Sequence, residues 1–230
     1  MTSTRSVKRQ IIAGGQLVLL AVLLISDQQI SLASPEVAAK MEAGVWRSLI
    51  AGGTNTFDFY GFPLTPSGQE RYENFPLDQD PALRCEPPGM PRAFYYLSLM
   101  DFSFQDDTVR IRYETMDVVR TVHMYGMPLA PDATHTPDGY SVGRWDGRAL
   151  VVDTTHLTAG ETTRDGIPKS NAMTLTETFF FEDSREDTLL SVATTITDPE
   201  NFAEPFTSVH QFENEPDWEL LPFDCHQTEY

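Results

Sequence analysis

The sequence predicts an all-β fold, an antiparallel β-barrel of about eight to ten strands with a short helix on its N-terminal side. Three observations support this prediction. From residue 93 onwards, short segments of alternating apolar and polar residues are separated by turn residues at intervals of about ten positions. Asp146-Gly147 lies between two such segments, and this dipeptide is a strong hairpin signal. A Gly-Val-Trp triplet at 44–46 indicates the start of a first strand.

The N-terminal residues have the pattern of a secretory signal peptide. Lys8-Arg9 precede a mostly apolar run at 11–25, and 31–33 has small residues at both cleavage-site positions. The run is shorter than the ~20 residues of a spanning helix, which favours cleavage over the alternative of an uncleaved anchor. We therefore expect a signal peptide over 1–33, one barrel domain over 34–230, and a periplasmic or secreted protein with no membrane span after cleavage.

Charge and cysteine content narrow the classes of partner and site. The formal charge of −18 at pH 7 disfavours binding to nucleic acid and to anionic membrane surfaces. In an oxidising compartment the two cysteines, Cys85 and Cys225, predict one disulfide, with two separate buried thiols as the alternative. The chain has no C-x-x-C, no other metal-ligand spacing and no glycine-rich nucleotide motif, so we predict no metal site and no cofactor.

Two segments before the predicted strands differ from them in composition. Residues 34–50 begin with Pro35 and Glu36, which suit the first turn of a short helix. Residues 52–91, which we call the wrap, are dense in both proline and aromatic residues. Prolines exclude central strands and aromatic residues exclude disorder, so we predict an ordered, irregular segment that packs on the core.

The predicted strands follow the wrap. In 109–114, the row Val109, Ile111 and Tyr113 alternates with charged residues, which is typical of a half-buried strand. The hairpin spans 139–156, and we expect a type I′ turn with Asp146 and Gly147 at its centre. The other predicted strands are 93–104, 118–125, 173–181, 188–197, 206–212 and a last one over 218–225, with loops over 126–138 and 157–170.

Period two places two ionisable residues in apolar rows. Glu177 lies in the middle of the apolar row of 173–181, and Arg120 interrupts the apolar row of 118–124. A buried carboxylate needs a partner or a proton, and a guanidinium group suits it well. We therefore predict an internal Arg120–Glu177 ion pair. Three roles stay open for this pair: a structural role, the orientation of a ligand, and catalysis.

The hairpin adds further polar candidates. Asp153 shares a face with Val151, so we expect Asp153 to be buried at a strand end. There we expect it to accept a hydrogen bond from Arg144 or from Thr154 and Thr155. His123 lies on the strand face opposite Arg120 and could transfer protons beside a carboxylate. The candidate ligand contacts are Arg120, Arg144, Trp145 and Tyr113. The candidate catalytic residues are Glu177, Asp153 and His123.

Two resemblances extend this interpretation. The Gly-Val-Trp triplet is similar to the first strand of lipocalins, whose Trp closes one end of the barrel, so we expect a lipocalin-like barrel. Five motifs carry the second resemblance: PLTPSG at 63–68, DPALRCEPPGMPR at 80–92, GYSVGRWDG at 139–147, LVVDT at 150–154 and TDP at 197–199. Together they resemble a family of exported bacterial proteins with a G-H-S-x-G-R-W-E-G-D-x-L-V-V-D-T core.

The family resemblance implies export, a β-rich fold and the two cysteines, and it carries no established activity. This chain departs from the family pattern at three positions. It has Tyr140 where His is expected, Asp146 where Glu is usual, and Lys169 where His is expected. Any chemistry that those histidines perform in relatives would therefore be missing or changed in this chain.

Three functional hypotheses follow. The leading one is an exported barrel that binds a small apolar or amphipathic molecule, because a barrel of about eight strands can hold one such ligand. The second is a cofactor-independent lyase, isomerase, cyclase or hydratase in which a buried carboxylate or His transfers a proton. The third is a structural or interaction protein of the cell envelope, with the wrap as its contact surface. The position and lining of the largest cavity distinguish these hypotheses.

Overall fold

In the computed structural model of the 230-residue chain, the described residues are 35–49, 61–96, 99–181 and 189–226. The predicted signal peptide over 1–33 and residues 52–60 of the wrap lie outside them. Among the described residues, no helix is both long enough and apolar enough to cross a membrane.

The β-strands of the described residues form one barrel and one small separate sheet. The strands are β1 (Val45–Ser48), β2 (Met100–Phe104), β3 (Thr108–Tyr113), β4 (Val119–Met124), β5 (Tyr140–Asp146), β6 (Ala149–Thr155), β7 (Gly160–Glu161), β8 (Pro168–Lys169), β9 (Thr174–Phe181), β10 (Leu189–Thr197) and β11 (Phe206–Glu215). Nine of them close into a barrel in the order β1-β11-β10-β9-β6-β5-β4-β3-β2, while β7 pairs with β8. The predicted all-β barrel is confirmed.

Short helices accompany the barrel. They are α1 (Pro35–Glu42), α2 (Pro66–Glu73) and α3 (Arg92–Tyr95), with 3₁₀ turns at Leu77–Gln79, Pro81–Arg84 and Thr115–Asp117. Helix α1 is the predicted N-terminal helix, and its Val37 and Met41 side chains are buried. The Trp46 indole Nε1 donates to the Met41 carbonyl at 2.9 Å, and the Phe104 N–H donates to the Glu42 carboxylate. Helix α1 and Trp46 therefore close the end of the barrel at which β2 ends, which we call the α1 end.

One strand pair departs from the antiparallel prediction. Strands β4 and β5 are parallel, with Val122 beside Ser141 and Met124 beside Gly143. The chain must therefore return along the barrel between β4 and β5, through residues 125–139. The predicted loop over 126–138 supplies the dozen or so residues that such a crossover needs. Gly143 is required at this contact, because a Cβ there would lie 2.7 Å from the side chains of Val122 and Met124.

The predicted hairpin forms between β5 and β6, but its turn is shifted by one residue. Asp146 pairs with Ala149, so the central residues are Gly147 and Arg148. Gly147 has a φ of 58°, whereas the φ of Arg148 is not positive. A positive φ at the first central residue alone fits a type II′ turn. The predicted type I′ turn at Asp146 and Gly147 was wrong, because Asp146 extends the strand and the glycine takes the first central position.

The described part of the wrap closes the opposite end of the barrel, where β3 ends and β4 begins, which we call the wrap end. Phe62 packs on Phe206 with ring centroids 4.5 Å apart. In α3, which follows the wrap, Tyr95 is buried and its hydroxyl lies 2.9 Å from the Ser208 hydroxyl. Cys85 of the wrap is bonded to Cys225, with the Cα atoms 5.9 Å apart. The predicted disulfide is confirmed.

Two predicted segments around the wrap end take another form. Of the predicted strand over 93–104, Met100–Phe104 form β2, whereas residues 93–95 belong to α3. The predicted loop over 157–170 contains the β7–β8 hairpin, with Gly160 opposite Lys169. Ile167 of this hairpin is fully buried. Burial of an apolar residue explains why the segment is folded onto the barrel rather than solvated.

The C-terminal segment also differs from its prediction. Among the described residues, 216–226 form no strand, so the predicted last strand over 218–225 was wrong. The Leu221 and Phe223 N–H groups donate instead to the Glu114 and Asp117 carboxylates. A side-chain acceptor can fix an extended tail without a strand partner, and the prolines in this segment disfavour a ladder.

Large side chains occupy the interior of the barrel. They include Trp46, Met100, Ile111, Leu150, Phe179 and Phe212, all of which are at most 2 % exposed. His210 is fully buried among them, with its ring 4.8 Å from that of Phe94. Burial lowers the pKa of His210 to about 4, so this residue is a neutral part of the core at pH 7.

Candidate functional site

Four neighbouring strands bring a polar network into the barrel near the wrap end. Arg120 of β4 and Glu177 of β9 are at most 1 % exposed, and Arg120 Nη2 donates to Glu177 Oε2 at 2.5 Å. The same Nη2 donates to Thr154 Oγ1 at 2.5 Å, and Nε donates to Ser141 Oγ at 2.9 Å. The predicted internal ion pair is confirmed. We call these four residues the inner network.

The electrostatics of the inner network keep Arg120 charged. Burial opposes the charge on Arg120, but the nearby Glu177 carboxylate outweighs it and raises the pKa of Arg120 above its usual value. Burial also raises the pKa of Tyr113, which the Arg120 charge partly offsets. Glu177 Oε1 and Thr194 Oγ1 have no hydrogen-bond partner among the described residues. Since Glu177 points at Arg120 rather than at an open cavity, its contacts favour a structural role.

Arg144 and Asp153 lie on the outer face of the barrel, so the expected burial of Asp153 was wrong. Their side chains are 51 % and 42 % exposed, and they form an ion pair across β5 and β6. Asp153 also accepts a hydrogen bond from Thr176 Oγ1 at 2.7 Å. The reason is strand parity: Val152 faces the interior, which places Asp153 outside. Neither residue contributes to the inner network.

Two other predicted residues are also separate from the inner network. Trp145 faces inward, but it stacks on Phe104 at the α1 end, with ring centroids 5.9 Å apart. It lies four residues along β5 from Ser141, a distance of about 13 Å. His123 lies on the outer face and stacks on Tyr140, with centroids 4.8 Å apart. The structure therefore joins Arg120, Tyr113 and Glu177 and leaves the other candidates elsewhere.

A buried lysine at the wrap end was not among the predicted site residues. Lys169 of β8 is only 6 % exposed, and its Nζ donates to the Met90 carbonyl at 2.7 Å. Burial lowers the pKa of Lys169 to about 8, while Glu161 and Asp138 oppose this change and Arg92 adds to it. A lysine in this state holds its proton much more weakly than a solvated one.

Arg92 of α3 provides the second buried cation of this region. It is 2 % exposed, and its Nη2 donates to Asp80 Oδ2 at 2.5 Å and to the Tyr96 hydroxyl at 2.9 Å. Its Nη1 lies 3.8 Å from the Glu161 carboxylate. Arg92 therefore connects the wrap, through Asp80, to the β7–β8 hairpin, through Glu161.

Two clefts at the wrap end share Lys169 in their lining. The larger one, which we call the lysine cleft, has a volume of about 430 Å³, and the second has about 200 Å³. Residues common to both are Ala159, Gly160, Glu161 and Lys169. The lysine cleft is also lined by Arg71, Phe75, Gly166, Pro168, Ser170, Asn171 and Glu200. Its volume falls in the range of roughly 300–1,000 Å³ that small-molecule sites occupy.

The floor of the lysine cleft is held by a buried carboxylate. Asp198 accepts hydrogen bonds from the Ser170 backbone N–H at 2.8 Å and from the Ser170 hydroxyl at 2.7 Å. It also accepts from Asn201 Nδ2 at 2.9 Å, and Arg71 Nη1 donates to Asn201 Oδ1 at 2.7 Å. These contacts fix the positions of Arg71 and of the residue next to Lys169.

Asp138 connects the inner network with the lysine region. It precedes β5, and burial raises its pKa, whereas the charges of Arg120 and Lys169 lower it. Both cations therefore lower the pKa of the same partly buried carboxylate. A third cleft of about 200 Å³ is lined by Tyr113, Val119 and Leu221. None of these three clefts is lined by Arg120 or Glu177.

In the part of the chain that the structure describes, no group of three or more His, Cys, Asp or Glu residues is placed to hold a metal ion. No protein-family model and no curated protein matches this chain. The arrangement of its own residues is therefore the basis for a functional proposal. The lysine cleft combines an amine with a lowered pKa, two carboxylates and an aromatic side chain.

The sequence analysis singled out Lys169 only as a departure from the family pattern, and it did not predict that this residue is buried or lines a cleft. The whole chain contains three lysines, Lys8, Lys40 and Lys169. Lys169 follows Ile167-Pro168 rather than lying in a run of charges. Its burial depends on the wrap, through Met90, which is 79 residues away in sequence. No local pattern predicts that contact.

Raising the pH from 8 to 10.5 is expected to stabilise the fold through Lys169. The folded-state pKa of about 8 lies below the ordinary value of 10.5, so the unfolded chain binds more protons in this interval and the free energy of unfolding rises with pH. The gap between the two values corresponds to about 3 kcal/mol. Denaturant unfolding of the wild type and of Lys169→Met between pH 7 and 10.5 measures it. Equal pH slopes in the two proteins would contradict the expectation.

Proposed function

We propose that this chain is an exported barrel protein that binds a small amphipathic molecule in the lysine cleft. The observation that carries the proposal is the lining of this cleft of about 430 Å³, in which Lys169 and Arg71 lie with the aromatic ring of Phe75. A few polar groups beside an apolar surface are what orient a small ligand. The barrel interior is a weaker candidate, because large core side chains occupy it.

Export is supported by features outside the cleft. The pattern of 1–33 is that of a signal peptide, and a disulfide such as Cys85–Cys225 persists in oxidising compartments. The motif resemblance to exported bacterial proteins points in the same direction. Mass spectrometry of the protein purified from a periplasmic or culture fraction tests this part. A mature chain that begins at Ser34 is the expected result, and a full-length chain in the membrane fraction would contradict it.

Binding is tested with 8-anilinonaphthalene-1-sulfonate, an aromatic sulfonate that matches the ring and the cations of the cleft. We expect saturable binding with one site per chain, measured by fluorescence titration and calorimetry. Ala159 is exposed and lines both clefts at the wrap end, so Ala159→Trp fills the site without changing the core. This variant is expected to weaken binding by about tenfold or more, a loss of at least about 1.4 kcal/mol.

The matched control for this variant is Ala130→Trp, since Ala130 is exposed and lines none of the three clefts. It should bind the probe as the wild type does. The exposed apolar residues Trp218 and Leu221 offer the probe another surface. Binding that is equal in the wild type and in Ala159→Trp would place the probe on such a surface and refute the proposal.

A further inference from the structure

Lys169 differs from the buried arginines Arg92 and Arg120, because it lacks an ion-pair partner among the described residues. Arg47, Arg92, Arg112, Arg120 and Arg144 each form an ion pair with a carboxylate. Lys40 pairs with Glu36 at 3.7 Å. Lys169 has no carboxylate within 4.0 Å among the described residues, and its one hydrogen bond goes to a backbone carbonyl. Its amine is buried without the charge neutralisation that the buried arginines receive.

Lys169 lines two neighbouring clefts. Gly160 lies opposite Lys169 in the β7–β8 pair, and a Cβ at Gly160 would lie 3.7 Å from Lys169 Cε. Gly160, which has no side chain, and Lys169 both line the lysine cleft and the second cleft. Glu161, next along β7, lines the same two clefts and is partly exposed.

We propose that Lys169 is a nucleophilic amine that forms an imine with a small aldehyde or ketone bound in the lysine cleft. This proposal rests on the proposed binding function and names its ligand class, carbonyl compounds with an apolar or aromatic body. The buried amine supplies the nucleophile, and the Glu161 carboxylate, on the shared wall of the clefts, supplies a group that moves protons.

The step balances without an oxidant or a reductant. The lone pair of the neutral Lys169 Nζ forms a bond to the carbonyl carbon, and the carbonyl π pair moves to oxygen. Glu161 accepts the proton that the nitrogen loses and returns it to the oxygen. Transfer of the second N–H proton to that oxygen by the same route lets it leave as water, and the nitrogen lone pair forms the carbon–nitrogen double bond. The products are one imine and one water for each amine and carbonyl consumed.

The protonation state of the amine supports this chemistry. A pKa of about 8 leaves about a quarter of the Lys169 amines neutral at pH 7.5. An ordinary lysine with a pKa of 10.5 is neutral in about one molecule in a thousand at this pH. The neutral fraction of Lys169 is therefore about two hundred times that of a solvated lysine. If a carbonyl compound reaches both amines equally well, Lys169 reacts faster by about this factor.

The test is trapping of the imine with 4-carboxybenzaldehyde as the probe and cyanoborohydride as the reagent that reduces it to a stable secondary amine. Peptide mapping by mass spectrometry measures the labelling of each lysine and separates them from the N-terminal amine. We expect Lys169 to be labelled at least tenfold faster than Lys40 at pH 7.5, with a rate that rises to a midpoint near pH 8. Lys40 is an internal control that needs no variant.

Variants complete the test. Lys169→Arg keeps the charge and should lose the label at position 169 while labelling at Lys40 is unchanged. Labelling of Lys40 as fast as Lys169, or a rate for Lys169 that rises only near pH 10, would overturn the proposal. If the sulfonate probe binds in the cleft but Lys169 is not labelled, the binding function stands and the imine proposal falls. If Lys169 is labelled as fast in Ala159→Trp as in the wild type, the aldehyde does not bind in the lysine cleft and the imine proposal falls, while the sulfonate titration still decides the binding function.

Discussion

Replacing Glu177 with alanine is expected to destabilise the fold by about 3–5 kcal/mol, because it leaves a charged guanidinium buried without its partner. Arg120 and Glu177 are at most 1 % exposed, and Arg120 cannot lose its proton at any accessible pH. The hydroxyl groups of Ser141 and Thr154 can still accept from it, but they do not neutralise its charge. Equilibrium unfolding in guanidinium chloride at pH 7 measures the loss.

The chain provides a matched control for this prediction in the outer pair. Arg144 and Asp153 join neighbouring strands as another arginine–carboxylate pair, but both side chains are about half exposed. Asp153→Ala should therefore cost less than about 1 kcal/mol. If Glu177→Ala lowers the free energy of unfolding no more than Asp153→Ala does, Arg120 and Glu177 are not energetically coupled as a buried pair.

A double replacement separates the cost of an unpaired charge from the value of the pair. Arg120→Met combined with Glu177→Leu removes both charges and keeps apolar volume inside the barrel. Buried ion pairs replaced in this way often cost little or even stabilise. We expect the double variant to recover most of the stability that Glu177→Ala loses. If the stability losses of Arg120→Met and Glu177→Leu, measured singly, add up to the loss of the double variant, each residue stabilises the fold independently of the other.

The strands could be predicted because the alternation of apolar and polar residues is visible within each short segment. The structure at the wrap end could not be predicted in this way, because it depends on contacts between segments that are distant in sequence. Alternation in 109–114 and in 173–181 is visible in a few residues, and both segments form strands β3 and β9. The parallel β4–β5 pair depends on the path of 125–139, and no local pattern encodes that path. The β7–β8 hairpin likewise depends on contacts with a wrap that is distant in sequence.

The candidate site was predicted in part for the same reason. Glu177 and Arg120 each interrupt one clearly apolar row, so their inward direction followed from parity. In β6 both faces are apolar, since Val151 on the outer face is only 7 % exposed. Parity alone could not say which face of β6 is inside, and Asp153 was placed on the wrong one. Lys169 interrupts no periodic row, so its burial had no counterpart in the sequence.

The inner network and the lysine cleft are best understood as two parts of one charged region. Asp138 lies within electrostatic range of both Arg120 and Lys169. Arg92 then links Asp80 of the wrap with Glu161 at the clefts. The Arg120–Glu177 pair joins β4 to β9 beneath the wrap end, and Lys169 lines two clefts at that end.

Removing the Cys85–Cys225 disulfide is expected to destabilise the fold by about 5 kcal/mol on the loop-entropy model. The two cysteines are 140 residues apart, so the bond strongly restricts the unfolded chain. In the folded protein it also holds the C-terminal tail, whose Leu221 and Phe223 N–H groups donate to carboxylates beside β3 and β4. Guanidinium unfolding with and without dithiothreitol measures the effect.

The control for the disulfide prediction is the variant Cys85→Ser with Cys225→Ser, which should match the reduced wild type and be insensitive to dithiothreitol. A loss below about 1 kcal/mol on reduction would contradict the loop-entropy argument. A loss of about 5 kcal/mol is as large as the whole stability of many domains. A protein with that dependence folds securely only where disulfides persist, which joins the stability of this barrel to the oxidising compartment proposed for it.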